Sequence, residues 1–416
     1  MSQDPKIEWT LKDCPFHHYT QLVKATEAIR NDATFTDATL HRRAQRHLEV
    51  LDKFPDYGPS TTSSWGSQIL LACRGRGHTV TAKGFIGALY HTADFFGMRG
   101  GYRYVSATIC ACADILRGPN VDPDQERLAR ELTSLAFDIW FVQFWLPFNH
   151  PAGMDIVLSE RTTHQVMVRD GCSCVATGVL GDTTEDGRSL SKGSVLTIVP
   201  ILHQSSAGWE EEDSLVSPLY ASLMYNALLS ASVTFQNDDM ALANEKFTNL
   251  RVAHFLQAYC QMDLRFGLPV DDPRNCLLLS WRAASTFREC RWTLHPTEIP
   301  NSYRIKVYGA PSEVFRTTSI KEYVTFSDEK SDPECPIVPP HPDVLRAHAM
   351  FTSVLHLSGM VDTIDPTRLE DNSRVVLQTP GHPGDDSSIR EEVRGAPSMP
   401  GIWSRLGHAI TSRMRN

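Results

Sequence analysis

The hydrophobic pattern of this chain changes near residue 156, and this change is the strongest constraint on its fold. Upstream, apolar residues recur at three- and four-residue intervals, as Leu40, Ala44, Leu48 and Leu51 do. This spacing puts one apolar stripe along a helix. Downstream, short segments rich in β-branched and aromatic residues are interspersed with helical ones. We therefore predict an α+β fold with a helical N-terminal region over residues 1–155.

Capping and breaking residues predict where the helices of this region begin and end. Thr36 is expected to cap the first apolar stripe, and Asp122, followed by proline, is expected to start a later helix. Gly97 and the glycine pair at 100 and 101 are expected to separate two helices. The predicted helices are Thr81–Phe96, Tyr104–Leu116 and a stretch that ends near Pro147.

The second part of the chain predicts strands, an inserted helical stretch and a polar tail. The expected strands are Ser173–Thr177, Val195–Leu202, Tyr303–Tyr308 and Tyr323–Phe326. The expected helices are Leu219–Ser232, Asn249–Met262 and Val344–Leu357. Residues 363–416 are rich in Pro, Gly, Ser and charge and are predicted to be disordered. Within this tail, Ile402–Met414 has the spacing of a short basic amphipathic helix, which would either contact a membrane surface or partner groove or pack back on the domain.

Charge and composition argue for a soluble protein with no membrane-spanning helix. The 40 basic and 49 acidic residues give a net charge of −9, which disfavours loose attraction to nucleic acid without excluding a local basic groove. The longest apolar stretch, Leu132–Phe148, contains a charged residue and is shorter than the ~20 residues that cross a bilayer. Membrane association is therefore not expected.

The ten cysteines predict reduced thiols rather than zinc sites or disulfides. Two C-x-C pairs occur, Cys110/Cys112 and Cys172/Cys174, whereas zinc sites use C-x2-C or wider spacings. The polar stretch Met1–Asp13 lacks the apolar segment of a secretory signal. We therefore expect an intracellular protein, in the cytoplasm or the nucleus.

Four segments in a fixed order carry the functional prediction. The first reads R-D-G-C-S-C-V-A-T-G over Arg169–Gly178, and the second reads L-T-I-V-P over Leu196–Pro200. The third is Asp272–Leu279, continuing through Ala284 to Phe287. The fourth is Pro296–Arg304, resumed at Pro339–Arg346.

This order resembles the fungal HNH endonuclease domain family, over roughly residues 160 to 360. Members of that family show R-D-G-x-x-C-x-x-T-G and A-H-I-x-P, then a D-x-x-N-x-L-L-L helix start and L-H-x-x-F-D. A Y-R strand and a P-x-P-x-x-L-x-x-H helix follow. The resemblance implies an HNH-like ββα-metal module over residues 156–362, enlarged by a helical insertion. In such modules one histidine is the general base, a second on the helix binds a divalent metal, and an asparagine orients the hairpin.

Carried over by position, both histidines are missing from this chain. The general-base position falls on Thr197, the asparagine on Asn275, and the metal-ligand position on Ala284. A threonine hydroxyl is too weakly basic to replace imidazole at neutral pH, and alanine offers a metal no donor atom. Arg288 replaces the aspartate after the family's phenylalanine and would raise the cost of binding a cation there.

The leading hypothesis is a pseudoenzyme: an HNH-like protein without catalysis that acts by binding nucleic acid or protein, with no cofactor. The alternative is an active endonuclease that holds Mg²⁺ or Zn²⁺ with relocated ligands. His203 is the first candidate, but six extended residues from Thr197 would place it ~20 Å away. The remaining candidates are His295, Asp271 and Asp272.

Overall fold

The structure, a computed structural model, describes residues 15–55, 80–117, 124–148, 158–180, 196–203, 251–263, 269–315, 320–326 and 338–362. All of them belong to the first of two units, Met1–Leu377. The predicted helix Leu219–Ser232 and the predicted disordered tail, with its amphipathic segment, lie outside these residues. Helices and small antiparallel sheets occur together, which confirms the α+β class.

Helices dominate the first part of the chain, as predicted. They are α1 (Pro15–Asn31), α2 (Asp37–Leu48), α3 (Val50–Lys53), α4 (Ala82–Phe95), α5 (Arg99–Leu116), α6 (Gln125–Ser134), a π-helix (Leu135–Phe141) and α7 (Val142–Trp145). Thr36 caps α2 as predicted, accepting a hydrogen bond from the Thr39 N–H at 3.2 Å. The later helix is capped by Asp124, which accepts from the Glu126 N–H at 3.0 Å, so the prediction of Asp122 as its cap was wrong.

Helix α5 starts five residues before the predicted Tyr104, because its two glycines do not break the chain. A Cβ at Gly101 would collide with the backbone oxygen of Tyr259. The turn that carries this oxygen, which follows the helix over residues 251–258, therefore packs directly on the glycine backbone. Gly97, with φ +67°, lies between α4 and α5 as predicted, whereas the glycines at 100 and 101 lie inside α5 and permit the close approach of Tyr259 and Gln261.

The second part combines helices with two small antiparallel sheets. Its helices are α8 (Glu160–Arg169), α9 (residues 251–258), α10 (Trp281–Arg288), α11 (Pro311–Phe315) and α12 (Pro342–Leu357), with 3-10 turns at Pro273–Asn275 and Met360–Asp362. Its strands are β1 (Leu196–Pro200), β2 (Cys276–Ser280), β3 (Trp292–Pro296), β4 (Ser302–Val307) and β5 (Tyr323–Thr325). Strand β1 pairs with β2, and the other sheet has the order β3-β4-β5.

Two segment predictions were wrong in the second part. The Leu277–Leu279 run, predicted to begin a helix, is the centre of strand β2, and the helix starts only at Trp281. The predicted strand Ser173–Thr177 is a turn that makes a single bridge, between Ser173 and Leu180. The predicted strands around 195–202, 303–308 and 323–326 are present as β1, β4 and β5.

One hydrophobic core spans both parts of the chain. Helix α12 packs on α4 from the first part and on β3 from the second. The centre of the core is aromatic, with fully buried rings at Trp140, Phe85, Phe137, Phe141, Phe144, Phe255, Tyr259, Phe287, Trp292 and Phe351. Residues on both sides of position 155 contribute to this core. The domain boundary predicted there stays a prediction.

Candidate functional site

Strands β1 and β2 and helix α10 form one local unit. Thr197 pairs with Leu279 and Pro200 pairs with Cys276 across the two strands. The chain leaves β2 at Ser280, whose hydroxyl caps α10 by accepting from the Ala283 N–H at 3.4 Å. Because no residues intervene between strand and helix, α10 folds back onto β2 and contacts β1 as well. The order is therefore strand, strand, helix.

The two faces of the β1–β2 pair contact different elements. On one face, Cys276 and Leu278 pack with Val166 of α8. On the other, Leu277 and Leu279 join the main core. Residues directly opposite in an antiparallel pair share a face. Both faces of β2 are therefore buried, with α8 on one side.

Thr197 and Ala284 both belong to the side of the β pair that faces the main core. Thr197 is directly opposite Leu279, which is in that core, and its side chain is half-buried. Ala284 belongs to the same core and is only 2% exposed. The structure thus puts the two histidine-equivalent positions on one side of the β pair. Ala284 offers a metal no donor atom, and the Thr197 hydroxyl is too weakly basic to accept a proton from water at neutral pH.

Asn275 joins the far ends of the two strands. Its side-chain oxygen accepts from the Leu202 N–H at 2.9 Å, and its side-chain nitrogen donates to the Leu202 carbonyl at 2.9 Å. It is completely buried. Asn275 precedes Leu279, the partner of Thr197 across the strands, by four residues. At about 3.3 Å per residue, this places Asn275 roughly 13 Å from Leu279 along the strand direction. Asn275 therefore orients the strand ends, and it is separated along the strand from the two histidine-equivalent positions.

A buried ion pair ties the end of α8 to β2. Arg169 and Asp170 are 1% and 0% exposed in their side chains and meet at 2.7 Å. Asp170 also accepts from the Leu278 N–H at 2.9 Å, while Arg169 donates to the carbonyls of Pro273 and Cys276 at 2.6 Å each. Sequence reasoning quoted this Arg-Asp pair as a motif but assigned it no role. The sequence signal for such an ion pair is the presence of two adjacent opposite charges, Arg169 and Asp170, directly before the turn residue Gly171.

The structure separates the proposed substitute ligands from Thr197 and Ala284. Beyond β1, the N–H of Ile201 donates to the Asn275 carbonyl at 2.7 Å, so His203 follows the end of the strand pair that lies away from Thr197. His203 donates its backbone N–H to Pro147 at 2.8 Å. His295 lies on β3 with its ring between Phe95 and Phe96, at centroid distances of 5.7 and 5.1 Å.

The two nearby aspartates are engaged in local structure. Asp271 accepts from the N–H and the hydroxyl of Ser159, at 3.0 and 3.2 Å, and these bonds hold its pKa below the ordinary value. Asp272 caps the turn that leads into β2 and pairs with Arg274 at 2.7 Å. Both carboxylates therefore stabilise the entry to the strand.

The residues at the histidine-equivalent positions do not fit a catalytic divalent metal. Both ends of the Asn275 amide are already hydrogen-bonded to Leu202, and the Ala284 methyl group offers no donor. Within the described ranges, no three His, Cys, Asp or Glu side chains come together as a metal-binding group. The described cysteines, including both C-x-C pairs, are free thiols. Nor does any described helix have the length and apolarity needed to cross a membrane.

Comparison with known proteins adds no family to this picture. No protein-family model matches the chain, and neither curated proteins nor solved structures produced a match. Membership of the HNH family stays a prediction that depends on the four sequence segments.

Proposed function

We propose that this chain is an HNH-like scaffold without catalysis, which acts by binding a macromolecular partner. The observation that carries the proposal is that Thr197 and Ala284 lie on the same side of a strand–strand–helix unit. The motif predicts histidines at these two places, and the order of β1, β2 and α10 along the chain is the order that a ββα module would require, which supports the proposal. A site with neither general base nor metal ligand has lost both parts of the hydrolytic machinery.

The buried polar contacts around the unit support a structural role for the motif residues. Arg169 and Asp170 form a buried ion pair in this region, and the amide of Asn275 makes two buried hydrogen bonds to Leu202. Buried polar groups of this kind are costly unless every partner is present. The same motif residues are therefore explained by the architecture, without any role in cleavage.

The test is a cleavage assay on supercoiled plasmid DNA with Mg²⁺, Mn²⁺ and Zn²⁺, using the full chain. We expect the wild type to be inert and the double variant Thr197→His/Ala284→His to bind the ion and nick DNA. The matched control is Thr197→His/Ser285→His, which puts the helical histidine one residue out of register. Because Ala284 is buried, circular dichroism and a melting curve must first show that each variant is folded.

Two outcomes would contradict the proposal in different ways. Metal-dependent cutting by the wild type, lost in a folded Asn275→Ala variant, would show that the chain is a nuclease with ligands elsewhere. A folded double variant that binds the ion but never nicks DNA would show that the unit lacks HNH geometry.

The net charge of −9 favours a protein over a nucleic acid as the partner. Binding to DNA is driven mainly by release of counterions from phosphates neutralised by Lys and Arg. Fluorescence anisotropy with labelled duplex DNA between 50 and 200 mM salt tests this choice. We expect weak binding; tight binding that falls steeply with salt would instead assign nucleic acid as the ligand.

A further inference from the structure

Two histidines lie where strand β3 meets helix α12: His348 is buried and His295 is half-buried. His348 of α12 is 3% exposed and stacks on Phe287 of α10, with ring centroids 4.0 Å apart. Its Nδ1 is 2.9 Å from the hydroxyl of Thr293, and its ring also hydrogen-bonds to the backbone of Phe287. The neutral imidazole therefore joins three elements: α10, β3 and α12.

The second histidine, His295, lies on strand β3 two residues after Thr293. His295 shares a face of β3 with Thr293, because side chains alternate along a strand. Phe95 and Phe96 at the end of α4 pack against its ring. Its Nε2 is buried and has no hydrogen-bond partner among the described residues. His295 thus connects β3 to α4, as His348 connects it to α12 and α10.

The charged groups of the described residues that face His295 are cationic. Arg304 and Lys306 on β4 are directly opposite His295 and Thr293, and both disfavour protonation of His295. The other groups that contact the two rings are uncharged: Phe95 and Phe96, at the end of α4, contact His295. Phe287 of α10 and Phe148 contact His348, the latter with ring centroids 5.6 Å apart. Among the described residues, no carboxylate acts on either imidazole. A proton on His348 would be a buried charge without a counter-ion, and a proton on the buried Nε2 of His295 would find no acceptor among the described residues.

We propose that His295 and His348 form an acid-sensitive latch, which holds β3 and α12 together with α4 and α10 at neutral pH and releases them on acidification. The release follows from geometry: the His348 ring is buried against Phe287, Phe148 and Thr293, so hydrating an imidazolium there requires the elements to part. Because α10 belongs to the unit with Thr197 and Ala284, the release would also loosen the proposed binding scaffold.

The direction of the pH effect follows from linkage. Burial lowers the pKa of His348 to about 3, with a smaller contribution from His295. Burial also lowers the pKa of His295 to about 4, and Lys306 and Arg304 lower it further. The unfolded chain, with histidine pKa values near ~6.5, therefore binds more protons than the folded chain below that pH. Stability is complete above about 6.5 and falls as the pH decreases towards about 4.

The experiment is urea unfolding at several pH values between 7.5 and 4.5. Each latch histidine is expected to shift the unfolding equilibrium about tenfold per pH unit below ~6.5, so the pair contributes about a hundredfold. The variant His295→Phe/His348→Phe keeps aromatic rings but removes both titrating groups, and it should lose this contribution. Burial also lowers the pKa of His41, His47 and His341, so the comparison with the variant isolates the latch. The control His164→Gln changes an exposed histidine of α8 and should leave the pH dependence unchanged.

Hydrogen exchange at pH 5 distinguishes a latch from general acid unfolding. Amides of β3 and α12 should exchange faster than those of α2, and this difference should disappear in the double variant. The latch is refuted if both variant and wild type show the same pH dependence, or if α2 opens together with α12. Should the double variant fail to fold, histidine NMR of the wild type decides: titration of His348 near its ordinary pKa in the folded protein would also refute it.

Discussion

The corner where α8 meets β2 and the aromatic centre of the helices are buried by opposite means. In the corner, Arg169, Asp170 and Asn275 are enclosed with nearly all of their hydrogen-bonding groups paired. In the aromatic centre, rings such as Phe144 contact other rings at 5.0 to 6.4 Å, and their burial supplies the stability. The corner depends on exact partners, whereas the aromatic centre depends on volume and apolar area.

This difference teaches which mutations each region tolerates. A buried polar network destabilises the fold as soon as one partner is lost, because the remaining group keeps its desolvation cost. An apolar core loses stability in proportion to the atoms removed and accepts replacements of similar volume. Substitutions matched in size should therefore separate the two regions.

The largest effect is expected for Asp170→Asn, an isosteric change that leaves the charge of Arg169 buried. We expect a loss of about 5 kcal/mol in the free energy of unfolding, measured by urea denaturation. The double variant Arg169→Met/Asp170→Leu should lose less, because it removes both charges. The exposed pair Lys83–Asp52 provides the control, and Asp52→Asn should cost no more than about 1 kcal/mol. An Asp170→Asn loss of that small size would mean that the ion pair does not hold the corner.

Phe144→Ala is expected to follow, with a loss of roughly 4 kcal/mol in the same measurement, because it leaves a cavity among four aromatic rings. Phe144→Leu preserves most of the volume and should cost about 1 kcal/mol. The contrast between the regions fails if the leucine variant is as damaging as the alanine variant.

Asn275→Ala should lose about 2–3 kcal/mol, because both backbone groups of Leu202 become unpaired in a buried site. Asn275→Asp tests the direction of the bonds, since a carboxylate cannot donate to the Leu202 carbonyl and should be no better than alanine. Asn31→Ala removes an exposed asparagine of α1 and should stay within about 0.5 kcal/mol of wild type. Equal losses of stability in Asn275→Ala and Asn31→Ala would show that the Asn275 hydrogen bonds do not stabilise the corner.

The smallest effects should be equal in the two regions. Ser159 caps α8 beside the corner and Thr36 caps α2 in the helical part, each accepting from an N–H at 3.2 Å. Replacement by alanine should cost about 1 kcal/mol at either site, as seen in thermal melts. A much larger loss at Ser159 would show that its bonds to Asp271 also support the corner.

Much of the fold was predictable from local patterns, but the role of individual site residues was not. Apolar spacing identified α2, α4, α6 and α12, and β-rich segments identified β1, β4 and β5. The motif comparison selected Thr197, Asn275 and Ala284, but it put Asn275 at the start of a helix. The P-x-P-x-x-L-x-x-H pattern ends on His348, but the pattern does not show which residues this histidine contacts.

Signals that act over a few residues were sufficient for the capped and periodic elements. Thr36 caps its helix through the backbone beside it, and amphipathic spacing requires no knowledge of the partner. Strand β2 is different: both of its faces are buried, so its apolar run lacks the alternation that reveals a strand. The contacts of Gly101 with Tyr259 and of Asn275 with Leu202 join residues far apart in the chain. Such pairs form only when packing brings distant segments together, and for that reason the site took its shape from the tertiary fold.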